Sequence, residues 1–408
     1  MNKPSLPSFE QCCGCRLCVD VCARHAIDCI ENKNGFYEIV IDENKCVKCG
    51  MCEKKCPALN PVVRNDKAEP FWGWSLDDSL REKSSSGAAF AQLASDFIKN
   101  HKGVVIGATL ENGLTVSHIA IERLEDIHLL QGSKYLQSNT TGIYKTALSH
   151  LKNGRSVLFS GTPCQIAAIK KMADGQEFSQ NLYTVEVVCH GIPSFHFHRI
   201  GLQLNNASGV ENFRTKKNGG WGSCRISYNF KEANSTPSPE FGDFFFKSFF
   251  NDFFLRPSCY DCQYAQANRI ADLSIADGWG AERAGFEENS LRKGVSLILA
   301  NTTKGHDLIK SDSMFIQKAN WQDFLDKNPC TIMNLSYLKS LSFSKWISFI
   351  QKHLPHKLAV YIFSCTAPKK GWGLVSKFFV VPLLKRKNKN SSAKEKRIQE
   401  FLTKQNHV

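Results

Sequence analysis

The sequence predicts a small α+β module joined to an α/β body with a mainly parallel or mixed sheet, closed by a basic, partly helical C-terminal tail. Three observations predict it. Two four-cysteine motifs of equal spacing stand within the first 60 residues. From about residue 71 to 330, apolar runs of strand length end in small-residue loops and alternate with helical stretches. The stretch from Gln351 to Val408 holds 13 of the 52 Lys and Arg but only 2 of the 38 Asp and Glu.

The first motif is Cys12-x2-Cys15-x2-Cys18-x3-Cys22, and the second is Cys46-x2-Cys49-x2-Cys52-x3-Cys56 followed by Pro57. This internal repeat has the bacterial ferredoxin spacing twice, so residues 1–62 are expected to form a ferredoxin-like module with two [4Fe–4S] clusters. Three cysteines in a tight loop wrap one cubane, and the fourth reaches across to the other. One cluster should use Cys12, Cys15, Cys18 and Cys56, and the other Cys46, Cys49, Cys52 and Cys22. Ala23 stands where the second half has Pro57, a departure that removes no ligand. Cys13 and Cys29 lie off the pattern and are expected to be bystander thiols. The odd total of 17 cysteines in 408 residues speaks against a disulfide scaffold. Thiolate ligands must stay reduced, so a cytoplasmic location is expected.

The stretch PVVRNDKAEP reads as a linker, with the linker proper at 63–70. In the body, 103–109, 156–160, 182–188 and 271–276 read as strands. Helices are expected from Gln165 to Met172 and after Gly87, where Phe90, Leu93, Ala94, Phe97 and Ile98 share a face. In sheets of this kind ligands gather at the carboxyl edge of the strands, and that edge is where the unusual residues fall.

Cys164 and Cys189 each follow a predicted strand, and Cys259-x2-Cys262 adds a pair. If the strands are neighbours, the four thiols converge on a third [4Fe–4S] cluster; a structural zinc site and unrelated packing thiols are the alternatives. Cys224, Cys330 and Cys365 have no partner spacing and read as packing residues. Ser84, Ser85, Ser86 and Gly87 stand before a helix, where hydroxyls and free N–H groups suit an anion such as a pyrophosphate or serve as an ordinary N-cap. Lys134 and Tyr135, the turn Gly161, Thr162 and Pro163, the basic-aromatic run Phe213 to Trp221, and Arg269 with Asp277 and Trp279 are each ordinary alone.

The tail accounts for most of the formal charge of +14, so nucleic-acid binding is not expected of the body. Phe378 to Val381 beside Lys385 and Arg386 would suit peripheral contact with the anionic inner face of a membrane, and a solvated terminus is the competing reading. KRKNKNSSAKEKR (385–397) reads as a solvated helix or disordered chain. The longest apolar run, Phe378 to Leu384, is too short to span a bilayer and contains Pro382.

Taken in order, KSSSGAAF, GSKYLQS, VLFSGTPCQIAA, VVCHGIPS, FRTKKNGGW, LRPSCYDCQYA and ADLSIADGWG resemble the coenzyme F420 hydrogenase/dehydrogenase beta-subunit family. The resemblance divides the body into a family N-terminal region at 71–150 and a C-terminal region at 151–330, with 331–408 outside it. It implies an oxidoreductase with FAD, and an inner cluster held by Cys164, Cys189, Cys259 and Cys262. Ser84, Ser85, Ser86 and Gly87 would approach the flavin phosphates; Lys134, Tyr135, Gly161, Thr162, Pro163 and Arg269 would line its cleft. His190, beside Cys189, would be a proton donor or a hydrogen-bond partner of the cluster loop, and Lys134 a second catalytic candidate. Electrons would pass between a redox partner protein or ferredoxin and a two-electron organic substrate, such as a deazaflavin coenzyme or a surface-polysaccharide precursor. A non-catalytic electron-relay subunit is the alternative function.

Overall fold

The computed structural model describes residues 4–217, 219–223, 225–230, 243–250, 252, 255–333 and 391–406. In the first 60 residues, β1 (Ile27–Glu31) pairs antiparallel with β2 (Tyr37–Ile41), Ile27 opposite Ile41. The short helices α1 (Leu17–Val21) and α2 (Met51–Lys54) follow the two cysteine loops and touch each other. The sequence repeat is also a backbone repeat. Gly14 and Lys48, then Arg16 and Gly50, adopt left-handed φ of 69°, 57°, 62° and 72° at matching places. Successive left-handed turns curl a loop so that its amides converge on one centre.

The body is one eight-stranded sheet in the order β12-β3-β11-β10-β7-β6-β4-β5. Its strands are β3 (Glu69–Ser75), β4 (Val104–Glu111), β5 (Thr115–Ile121), β6 (Val157–Gly161), β7 (Leu182–Val187), β10 (Leu273–Asp277), β11 (Ser296–Ala300) and β12 (Met314–Lys318). The central four, β10, β7, β6 and β4, are parallel, and the flanking pairs are antiparallel. The sheet is therefore mixed, and its parallel centre is the part that the alternation of strands and helices predicts. Regions 71–150 and 151–330 both supply strands to it. The expected linker is bonded to the body through Asn65 N–H to Arg269 O (2.9 Å), and it runs into β3 at Glu69.

Period-two alternation gives each strand two apolar faces. Val105 and Leu158 pack against α4 (Ala89–His101) through Leu93, Ala94 and Phe97. Val104, Ile106, Val157 and Phe159 pack against α6 (Ile143–Lys152) and α7 (Pro163–Ala173). Cys15 and Leu17 of the first cysteine loop belong to that second core, so the N-terminal module is seated on the α6–α7 side. A separate hairpin, β8 (Ala207–Thr215) with β9 (Arg225–Phe230), carries a phenylalanine-rich core with α8 (Phe195–Leu204) and helix Phe244–Phe250.

The terminal helix Ser391–Asn406 is exposed at Glu395, Lys396 and Arg397, where a solvated helix or disordered chain is expected, and docks on the body beyond them. Ile398 is buried against the body, and Phe401 meets Trp321 edge-on at 4.9 Å. Phe378 to Val381 and Lys385 to Lys387 lie outside the described residues, as do Cys224 and Cys365. Among the described residues no helix is long and apolar enough to cross a membrane.

Candidate redox site

Cys12, Cys15, Cys18 and Cys56 wall one cavity of about 480 Å³, together with Cys13, Arg16 and Arg256. Burial, and then Cys12 and Cys56, push the Cys18 thiol up. Burial likewise raises Cys52, with Cys22 and Cys49 among its neighbours. The fourth cysteine of each motif thus sits with the other motif's loop, the exchange that the double spacing predicts. Cys49 is solvent-exposed, whereas Cys15, Cys52 and Cys56 are buried.

The body holds the first cysteine loop by its carbonyls. Arg256 Nε and Ser258 Oγ donate to Cys12 O at 2.5 and 3.1 Å. Gln137 Nε2 donates to Gly14 O at 3.1 Å, and Thr140 Oγ1 and Tyr144 OH both donate to Cys15 O at 2.8 Å. A Cβ at Gly14 would stand 2.2 Å from Gln137 Nε2, so only glycine permits this contact. With carbonyls turned outward, amides are left to face sulfur: Gly14 N–H lies 3.4 Å from Cys12 Sγ, and Ala26 N–H 3.3 Å from Cys22 Sγ. Such bonds favour the thiolate.

The body cysteines gather as the strand order requires. β6 and β7 are adjacent, so Cys164, at the start of α7, and Cys189, just beyond β7, share the carboxyl edge. Burial, then Cys259 and Cys262, raise the Cys189 thiol. Cys13 and Cys164 both pack against the core that holds Cys15, so Cys13 stands between the first loop and the inner set. Cys330 is another neighbour of Cys189. Among the described residues, no three Cys, His, Asp or Glu side chains close to the spacing of a single metal ion. A cubane asks for wider spacing, since each thiolate binds a different iron.

A second cavity, of about 800 Å³, lies at the carboxyl edge. Ser84, Ser85, Ser86, Lys134, Tyr135, Gly161, Thr162, Cys189 and His190 all line it. Their local roles differ from the expectation in part. The serines do not cap α4, whose N-cap is Ala88 in a left-handed conformation. Ser84 Oγ donates to Leu80 O, Ser86 Oγ donates to Val295 O, and Ser85 Oγ accepts from Ser133 N–H. Gly87 is packed behind the wall, where a Cβ would meet Gly73 O and Ser296 N at 2.7 Å. Pro163 is the buried first residue of α7.

Arg269 is a correction. Its side chain is 1% exposed and paired with Glu186 at 3.4 Å, and it donates to Cys330 O and Thr331 O at 2.9 Å. It braces the sheet under the cavity instead of lining it.

The fold sets the surroundings of three buried basic groups, His118 and Lys134 on the cavity wall and Lys216 behind it. His118 donates from Nε2 to Ser160 O (3.0 Å) and accepts at Nδ1 from Ser138 Oγ (2.7 Å), and burial lowers its pKa to about 4. Burial also lowers Lys134 to about 7, its ammonium donating to Leu130 O and Gln131 O. Lys216, lowered to about 7 chiefly by burial, spans the carbonyls of Arg81, Ser86 and Lys293 at 2.6 Å each. The basic-aromatic residues do converge. Arg214 pairs with Asp277, Trp221 Nε1 donates to Asp277 at 3.1 Å, and Trp221 stacks on Trp279 at 4.5 Å. His190 Nε2 bonds Asp252, whose backbone carbonyl accepts from Tyr260 OH at 2.7 Å.

Paired four-cysteine loops, leading through further thiols to a cavity with buried cations, define an iron–sulfur redox protein. Residues 154–320 match the family model for the C terminus of the coenzyme F420 hydrogenase/dehydrogenase beta subunit, and residues 11–60 match the 4Fe-4S dicluster domain. Residues 154–320 are thus similar to the C terminus of that beta subunit, and residues 11–60 to a dicluster domain. Ferredoxin-1 of Caulobacter vibrioides is 34% identical over 67 residues, which span 15% of this chain and 54% of that ferredoxin. A chain of the xenon-derivatized F420-reducing [NiFe] hydrogenase complex from Methanosarcina barkeri is similar at a TM-score of 0.45 and 14% identity. That likeness covers 71% of this chain and 91% of that one.

Proposed function

We propose that this chain is an oxidoreductase that moves electrons between a protein carrier and a two-electron organic substrate, through three [4Fe–4S] clusters and FAD. One observation carries the reading: Cys12, Cys15, Cys18 and Cys56 wall one cavity, Cys13 and Cys164 pack on the same core as Cys15, and Cys189 lies on the wall of the large cavity. Cys22, Cys46, Cys49 and Cys52 would hold the outer cluster, and Cys12, Cys15, Cys18 and Cys56 the next. Cys164, Cys189, Cys259 and Cys262 would hold the inner one. Residues 1–62 then form the electron-carrying module, and 71–330 the body around the cavity.

FAD fits the cavity's chemistry. The first turns of α4 and α7 line it, and helix N-termini favour a pyrophosphate. Lys134 supplies a cation that an anionic ligand would keep charged, and Trp279 offers a flat apolar face. When bound, the flavin would supply the exchange between one-electron and two-electron chemistry. His190, with Nε2 committed to Asp252, has Nδ1 left to pass a proton to a molecule in the cavity. The substrate is a deazaflavin coenzyme or another reducible organic molecule, such as a surface-polysaccharide precursor. Reduced thiolates are in keeping with the cytoplasm.

The test is anaerobic purification, acid denaturation, and assay of released flavin and iron. The expected result is one FAD and ~12 irons per chain, falling to ~8 in Cys259→Ser. Absence of flavin after incubation with FAD and FMN would leave an electron relay without its own catalysis.

A further inference from the structure

Arg256 is 0% exposed, yet no carboxylate pairs with it among the described residues. Nε donates to Cys12 O, and Nη1 donates to Tyr37 O at 2.7 Å and reaches Gln137 Oε1 at 3.4 Å. Nη2 is buried with no partner. The residue lines the same cavity as Cys12, Cys15, Cys18 and Cys56. Arg16 lines it too, is 5% exposed, and leaves its own Nε buried and unpartnered. A buried cation without a counter-ion is costly. Two of them, each with an orphan N–H at one cavity, call for an anion there. A cubane with four thiolates is such an anion, and it gains a further negative charge on reduction.

Among the described residues, no buried arginine with an orphaned N–H lies within the second motif. Gly50 stands at the place that Arg16 holds in the first motif, and Cys49 is open to water, which screens charge. Resting on the cluster assignment above, we propose that Arg256, assisted by Arg16, is a positioning residue that raises the reduction potential of the Cys12–Cys15–Cys18–Cys56 cluster above that of the outer one. One electron moves from the outer cluster to the next, and no bond forms or breaks. In a low-dielectric site the guanidinium stabilises the more negative, reduced state. The two ferredoxin-type clusters are then not equivalent, and an electron received at Cys49 settles beside the body.

The test is a redox titration of the anaerobically purified full chain, followed by electron paramagnetic resonance. Cys49→Ser, which removes the outer signal, assigns the two. Arg256→Gln should lower the potential of the Cys12 cluster and move the electron partition at least tenfold toward the outer cluster, 59 mV for one electron. The outer cluster's own potential should stay fixed. Ser258→Ala, which removes a neutral bond to the same carbonyl, should move the partition less than threefold. Equal shifts in both clusters, no shift, or a tenfold shift in Ser258→Ala overturns the inference. Should Arg256→Gln fail to load the first cluster, Arg256→Lys decides. It keeps the charge, so a potential near that of the natural protein supports the inference, and a tenfold drop overturns it. A natural chain with no cluster signals and no iron refutes the cluster assignment itself, a result distinct from all of these.

Discussion

At Lys134 burial alone holds the ammonium at about 7, far below the usual lysine value. The free protein therefore has a neutral amine above that pH and an ammonium below it. A bound pyrophosphate would favour the charged form, so binding would take up a proton. The sign follows: affinity for FAD would be strongest below pH 7 and should fall as pH rises through about 7. Lys134→Met should weaken binding about tenfold at pH 6, the loss of one charge-assisted contact, and flatten the pH slope. Quenching of flavin fluorescence across pH 6–9 measures this, and an unchanged slope would remove Lys134 from the site.

Helix α4 shows how an element can open a site at the expense of its own stability. Its N-cap, Ala88, has φ of 63° and no capping side chain, although three serines precede it. Those hydroxyls are tied to Leu80, Ser133 and Val295, and the first-turn amides are left toward the cavity. An L-residue with a Cβ is strained in this region by about 1 kcal/mol. Ala88→Gly should relieve it, raising thermal stability by a few degrees with unchanged iron content. A lower melting temperature would show that the Ala88 methyl matters more to packing than to strain. In contrast, the N-cap of α7 is tied back by Gln165, whose Oε1 accepts from Thr162 N–H at 2.8 Å, two residues from Cys164.

The module and body share their caps and their core. Helix α6 begins at Gly142, which has no side chain to cap it. Asp20 of the module takes that role, accepting from Gly142 N–H at 2.6 Å and Tyr144 N–H at 3.2 Å. Burial holds the Asp20 carboxyl above its ordinary value, and these amide bonds oppose the rise. Asp20→Ala should cost about 1 kcal/mol, loosen the seating of the first loop, and speed loss of the Cys12 cluster in air relative to the outer cluster. Equal loss from both clusters would mean that the joint does not protect the site. Arg199 and Glu31 form a second, exposed link between the two parts. It is expected to contribute little by comparison.

Spacing made the ferredoxin-type loops legible, because the ligand geometry of a cubane is imposed over a few residues of chain. The parallel centre of the sheet was readable from alternating strands and helices, and with it the edge where Cys164 and Cys189 meet. Local pattern did not reveal the antiparallel flanks, since register between distant strands is decided by packing. It did not reveal the partners of the three serines, which are up to about 210 residues away in the chain. It took Arg269 for a ligand-binding cation because a buried arginine looks like an exposed one until Glu186 is placed beside it. Cys13, His118 and Arg256 belong to the same group. Each is an ordinary residue in sequence, and each is given its role by long-range contacts that place it beside other thiols, a strand edge or a cavity. The sequence by itself determined the thiol chemistry and the order of the elements. Only the tertiary structure decided which thiols adjoin and which charges are buried, because both depend on distances and burial that no stretch of chain contains.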